Sequence, residues 1–271
     1  EPHRSGFKST RPLLAGLKEE VMIVGFIYDD VSSKDMGVKA RLTSWQVSGT
    51  LRNYSAAIPG KYGVADFGAD MDAREIPVSC SIFPKLRFSD LVETLDGIAL
   101  WLSPVNGLKQ LIFDDVPDRY FMARLKDKVD CERIIRAAGV FELSFYCPDP
   151  FAYALEDEVF TIMTTGQSAV TRSLGNIESR PVYFLKGSLT KGAENYISIS
   201  VGGIEMKIVN AELSTGEILA IDTEKMTAYV EDGNGFVLRN ALPYLQELNF
   251  PELAVGENSI LIEAVNGTFS E

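Results

Sequence analysis

Apolar and polar residues alternate with period two through most of the chain beyond Val21. Val78, Cys80 and Ile82 alternate with Ser79 and Ser81, and Phe141, Leu143, Phe145 and Cys147 alternate with Glu142, Ser144 and Tyr146. The pattern returns in Ile197, Ile199 and Val201, in Ile204, Met206 and Ile208, and in Ile260, Ile262 and Ala264. Successive side chains of a strand point to opposite faces, so each run predicts a strand with one apolar face turned to a core. Pro59-Gly60, Gly202-Gly203 and Asp232-Gly233-Asn234-Gly235 punctuate the runs as turns. Together they predict a mainly β, mostly antiparallel protein.

One segment follows a different period. After Ser89 comes DLVETLDGIALWL, with Leu91, Leu95, Ile98 and Leu102 near helical spacing. Ser89 is the expected N-cap, Asp90 and Glu93 occupy the first turn where the macrodipole favours anions, and Pro104 and Gly107 stop the helix. Gly97 in its middle costs up to ~1 kcal/mol relative to alanine. Arg133 to Ala138 fits either helix or strand, and the alternation that follows it favours strand.

Cys147-Pro148-Asp149-Pro150 marks the expected domain boundary, because two prolines in three residues fix φ and deny ladder hydrogen bonds. The expected domains are therefore 22–150 and 151–271. Residues 1–21 lack periodicity and read as an N-terminal extension, either a native arm or an appended segment.

Charge changes the picture at the same boundary. The chain of 271 residues carries 26 Lys plus Arg against 38 Asp plus Glu, a formal net charge of −12. Residues 1–150 hold 19 basic and 21 acidic side chains, net −2, and residues 151–271 hold 7 and 17, net −10. Such an acidic chain cannot hold duplex DNA or anionic lipid by bulk charge. A hydrophobic fraction of 46% argues against disorder. The longest apolar stretches, such as Ile98 to Leu102, fall far short of the ~20 residues that span a bilayer.

The candidate chemistry is sparse. His3 is the single histidine, so Ser-His-Asp, Cys-His and multi-histidine zinc sites are not expected. Cys80, Cys131 and Cys147 are odd in number, with no CxxC spacing, and fit reduced, intracellular synthesis; Cys80 and Cys147 read as small buried hydrophobes. Asp114, Asp115 and Asp118 read either as a hard-cation site or as a polar turn between two strands. No EF-hand spacing accompanies them, which favours the turn. The stretch Pro59-Gly60-Lys61-Tyr62-Gly63-Val64-Ala65-Asp66-Phe67-Gly68 matches neither phosphate-binding glycine pattern and reads as a loop or hairpin with residues at positive φ. Glu156, Asp157 and Glu158 read as a solvated linker rather than a glycosidase carboxylate pair. Trp45 and Trp101 could stack on sugars, but Trp101 lies among Leu100 and Leu102 and fits core packing. No catalytic, cofactor-binding or metal-binding residue is therefore assigned.

The order of these segments resembles a known family. FIYDDVSSKDMGVKA (with Ser32, Ser33, Asp35 and Gly37) is followed by AIPGKYGVADFG, EIPVSCSIF, the helix, IFDDVPDRYFMARL and FELSFYCPDPFAY, from Phe26 to Tyr153. This is similar to the distal tail proteins of long non-contractile-tailed bacteriophages and prophages of Gram-positive hosts. Beyond residue 155 the likeness is looser and rests on Asn176, Ser179, Pro181 and GEILAIDTEKMTAYVEDG. The resemblance implies an N-terminal β-sandwich or split-barrel, tail-tube-like domain with one flanking helix, and a C-terminal galectin-like β-sandwich. It implies a homohexameric ring at the distal end of the virion tail, joining the tail tube protein to tail-tip, tail-associated lysin or baseplate proteins. DNA would pass through the channel without specific binding, and no enzyme activity, cofactor or membrane is expected. The alternative is a carbohydrate-binding module that contacts the host cell wall through the C-terminal domain.

Overall fold

The period-two runs become strands, and every pairing among them is antiparallel. The structure is a computed structural model, and it describes residues 25–46, 49–127, 132–135 and 138–271. His3, Cys131 and the expected extension over residues 1–21 lie outside the described residues. The chain divides into two compact units, one ending at Leu155 and the other spanning Glu156–Glu271.

In the first unit the order is β1 (Phe26–Tyr28), β2 (Val31–Ser32), β3 (Val38–Leu42), β4 (Leu51–Ala56), β5 (Ala65–Met71) and β6 (Arg74–Ile82). Then come α1 (Phe88–Trp101), β7 (Lys109–Phe113), β8 (Val116–Leu125), β9 (Glu132–Ile135), β10 (Ala138–Cys147) and β11 (Tyr153–Ala154). The main sheet runs β2-β1-β7-β8-β10-β6-β3, with β9 on β10 and β11 on β8. β8 and β10 share only the pairs Leu125–Phe145 and Arg124–Tyr146, and the strand order among the described residues stays open rather than closing into a barrel. Both limbs feed one core: Phe26, Tyr28, Leu111 and Phe121 from one, Val78, Cys80, Leu143 and Phe145 from the other. The strand reading of the 133–138 region holds in β9 and in Ala138, the first residue of β10, while residues 136–137 lie outside the described residues.

The helix forms where its periodicity places it. Leu91, Ile98 and Leu102 are buried and Leu95 packs against them. The expected cap is corrected, however. Arg87 is the N-cap, with extended backbone and no side-chain cap, and Ser89 sits inside the first turn, donating to Asp90 Oδ1 at 3.1 Å. Helical backbone therefore starts two residues earlier than a serine cap requires, and the end is held by Leu102 N–H donating to Ile98 O at 2.9 Å. Pro104–Asn106 then form a 3-10 turn that closes at Gly107, whose φ is +81°.

The second unit is a two-sheet sandwich. Its strands are β12 (Gly166–Arg172), β13 (Val182–Leu189), β14 (Tyr196–Val201), β15 (Ile204–Val209), β16 (Ile218–Asp222), β17 (Thr227–Glu231), β18 (Val237–Asn240), β19 (Gly256–Val265) and β20 (Gly267–Phe269). One sheet is β12-β19-β14-β15 and the other β18-β17-β16-β13-β20. Ile197, Met206 and Ile262 of the first sheet meet Leu185, Ile221 and Val230 of the second in a single core, as expected where two inner faces interdigitate. One residue of the alternation fails: Ile204, beside the Gly202-Gly203 turn, is exposed rather than buried with Met206 and Ile208.

Candidate assembly surfaces

The residues singled out for chemistry disperse into structural roles. Asp114 Oδ2 accepts the Gly25 N–H at 3.1 Å and the Lys34 ammonium at 2.6 Å. A side chain at Gly25 would meet that oxygen at 2.6 Å, so the position suits glycine. Asp118 instead pairs with Arg119 next to it, and its carboxyl is held below the ordinary range by that guanidinium. The aspartates thus turn to different cations in the β7–β8 hairpin, and the described residues contain no group of three or more His, Cys, Asp or Glu that could hold a metal.

The cysteines and tryptophans also go to structure. Cys80 and Cys147 are buried free thiols, each pushed up to about 12, chiefly by desolvation. Such thiols are poor nucleophiles because the thiolate is scarce at neutral pH. Trp101 stacks on Phe26 at 5.5 Å and donates its indole N–H to Tyr28 O at 2.9 Å. Trp45 is 44% exposed and packs edge-on against Phe113 and Phe121. Glu158 in the acidic run accepts the Ser173 hydroxyl at 2.6 Å and its N–H at 2.9 Å, so it fastens the start of the second unit to the end of β12.

The segments that carry the family resemblance are turns with a geometric purpose. Ser33 is buried and its Oγ accepts the Phe26 N–H at 3.1 Å, while Gly37 takes φ +69° before β3. Asp149 of the Cys-Pro-Asp-Pro segment accepts the Phe151 N–H at 3.0 Å and the Tyr153 hydroxyl. That turns the chain so that β11 pairs with β8, with Tyr153 stacked on Tyr120 at 5.7 Å. Residues 151–155 therefore belong to the first unit.

The glycine-rich stretch is the tip of a hairpin with unusual exposure. β4 and β5 form their own two-stranded sheet, separate from the nine-stranded one. No residue of either strand is buried. Gly60, Gly63 and Gly68 take φ of +81°, +80° and +100°, as a hairpin tip and a strand irregularity between Asn53 and Ser55 require. Tyr62 at 102%, Phe67 at 69% and Leu51 at 59% stand in water. The strands are held by a fork: Arg52 Nε and Nη2 donate to the two oxygens of Asp70 at 2.9 and 3.0 Å, and the Tyr54 hydroxyl donates to Oδ2 at 2.8 Å. Those donors, Arg52 first, hold the Asp70 carboxyl below the usual carboxylate range. A two-stranded ribbon is at best marginally stable alone in water, so one with several large apolar side chains exposed is built to lie against something. Sequence reasoning located the tip but not the strands, because neither face is buried and no apolar alternation marks them.

No helix among the described residues is long and apolar enough to cross a membrane. Residues 35–147 match the phage tail protein RIFT-related domain family. No curated protein matches the chain at a significant level. Among solved structures, the Dit (gp 19.1) protein of phage SPP1, described as a paradigm of the hub adsorption apparatus of phages infecting Gram-positive hosts, superposes with a TM-score of 0.68 at 18% identity, covering 90% of this chain and 99% of that one. A chain of the phage P2 baseplate in its activated conformation matches at 11% identity and a TM-score of 0.44, covering 92% and 99%. The first of these shows a common fold.

Proposed function

We propose, from the match of residues 35–147 to the phage tail protein RIFT-related domain family, that the chain is a non-enzymatic hub: a homohexameric ring at the distal end of the tail, joining the tail tube to tail-tip or baseplate proteins around the DNA channel. The observation that carries this reading is the β4–β5 hairpin with its exposed Leu51, Tyr62 and Phe67. A hairpin that leaves its own core and must dock elsewhere makes a heterologous, head-to-tail contact when it docks on the next copy, and such contacts close into rings when the rotation permits. The near-neutral balance of residues 1–150, net −2, keeps like-charge repulsion between neighbouring copies small. The fold shared with the SPP1 hub protein supports the same assignment. In this reading the second unit, of galectin-like type, faces outward as a platform.

Carbohydrate binding by the second unit has weaker support. Tyr196, an aromatic on the outer face of the four-stranded sheet, is covered by the Lys207 ammonium at 3.8 Å from its ring centre, so its π-face is not free to stack on a sugar.

The test is the solution mass of the full chain, alone and with a tail-tube protein, with negative-stain images of both. Six-fold rings are expected in at least one condition, and Tyr62→Ser with Phe67→Ser should abolish them while the monomer stays folded. A strict monomer in both conditions, without rings, overturns the proposal.

A further inference from the structure

The two outer faces of the second unit differ in chemistry. On the four-stranded sheet the outward residues are mostly polar, in the cross-strand rows Lys207–Ser198–Glu263 and Glu205–Ser200–Leu261 of β15, β14 and β19. On the five-stranded sheet the cross-strand rows are Phe184–Ala220–Tyr229 and Lys186–Ile218–Glu231–Val237, with Val182 beside Asp222. Their faces are set by the core, since Leu185, Leu219, Ile221 and Val230 point inward. Antiparallel sandwiches ordinarily turn polar residues outward. Here Phe184 is 56% exposed and Val237 62%, while Ala220 between Phe184 and Tyr229 is fully covered. The half-buried Ile218 and Tyr229 carry the apolar surface across the middle of the sheet.

The edge of this face is rigid. Asp232 accepts the N–H groups of Asn234 at 2.8 Å and Phe236 at 3.0 Å, and Gly235 takes φ +84°. That loop holds Phe236 71% exposed next to Val237. An apolar anchor fixed before binding spares part of the ordering cost of association.

Charge selects the occupant. The two lysines of the face are already engaged, Lys186 by Glu271 and Lys225 by Asp222 at 2.9 Å. Glu231, Asp232 and Glu224 remain around the apolar patch, on a domain of net −10. A second copy would bring the same acids against these, which is repulsive. We propose that the outer face of the five-stranded sheet is a docking surface for a different protein of the tail tip, one that presents an apolar segment within a cationic rim. This rests on the hub reading and names the face through which the platform works.

The full-length chain and its Phe184→Ser/Val237→Ser variant are tested by biolayer interferometry against the separately purified tail-tip and baseplate proteins encoded with it, at low salt and above ~0.15 M. Both positions are exposed, so the variant keeps its core, and Leu261→Ser on the outer face of the other sheet serves as control. The expected result is one partner that binds the native chain, loses at least about tenfold in the double variant, weakens as salt rises, and binds the Leu261→Ser control as it binds the native chain. Equal binding by the double variant, binding insensitive to salt, no binding by any of these proteins, or a self-association that the variant abolishes would each overturn it. Ring mass measured on the same samples separates the two readings: a native chain that forms no ring refutes the hub, whereas rings with unaltered partner binding in the variant refute only this face.

Discussion

Two antiparallel strand pairs of the first unit, β4–β5 and β6–β10, are made by the same backbone chemistry and end in opposite environments. β6 and β10 are joined through eight residue pairs from Val140–Ser81 to Cys147–Arg74 and bury Val78, Cys80, Phe141, Leu143 and Phe145. β4 and β5 are joined through five pairs and bury nothing. Ladder hydrogen bonds replace bonds to water and contribute little net stability, about 1 kcal/mol each. Burial makes the larger difference, roughly 1.5–3 kcal/mol for each large apolar side chain removed from water. One pair is therefore part of the folded chain's own stability, and the other leaves its apolar side chains in water.

The comparison breaks first at Phe145. Its ring is fully buried and contacts the rings of Phe26 at 5.4 Å and Tyr28 at 5.5 Å. Phe145→Ala is expected to cost about 3–5 kcal/mol, measured by denaturant unfolding. The loss should fall on the first unit alone, because the second has its own core. A shift of both units' transitions together would show that they unfold as one.

The same contrast decides what was legible in the sequence. Strands with one wet and one dry face write themselves as alternation, and Val78 to Ile82 and Phe141 to Cys147 could be placed residue by residue. The helix announced itself through Leu91, Leu95, Ile98 and Leu102, but its first residue did not. Capping preferences are worth only ~1 kcal/mol, too little to fix the first residue, and the helical backbone begins at Phe88, before Ser89. β4 and β5 left no pattern because both faces are wet. Val182-Tyr183-Phe184-Leu185 is the inverse case: a continuous apolar run in an antiparallel strand signals that its outer face, too, has chemistry to satisfy. The roles of Asp114 and Asp149 depend on partners 89 and 80 residues away in the first case and on a local turn in the second, and only the second kind can be seen from neighbouring residues.

Two arginine–carboxylate forks carry the comparison to smaller energies. In the second unit Arg239 Nη1 and Nη2 donate to the Glu217 oxygens at 2.7 Å each, with both side chains mostly covered. The guanidinium holds the Glu217 carboxyl below its usual range. A carboxyl whose folded value is depressed contributes stability above its unfolded value and loses it as pH falls through the folded one. Arg239→Ala should therefore cost about 1 kcal/mol at neutral pH, less than a fully buried ion pair because part of the guanidinium is wet. It should also flatten the acid limb of the unfolding profile of the second unit. A variant that keeps the native pH dependence would remove Glu217 as its source.

The Arg52–Asp70 fork likewise joins a guanidinium to a carboxylate, through Nε and Nη2, but with both side chains in water. Solvent screens it, so Asp70→Asn is expected to leave the melting temperature of the monomer unchanged. Its effect should emerge instead in the hairpin. Without the carboxylate, Arg52 and Tyr54 lose their common acceptor, and the amides of β4 should exchange with solvent faster than those of β6. The sign with pH follows from the depressed Asp70 value: the clamp is complete above the ordinary carboxylate range and is lost as pH falls through the lowered one. Acid should thus loosen the native hairpin while the Asp70→Asn variant changes little. If the β4 amides of that variant exchange as slowly as the native ones, the fork is an ornament of the hairpin surface, and the ribbon is held by its ladder alone.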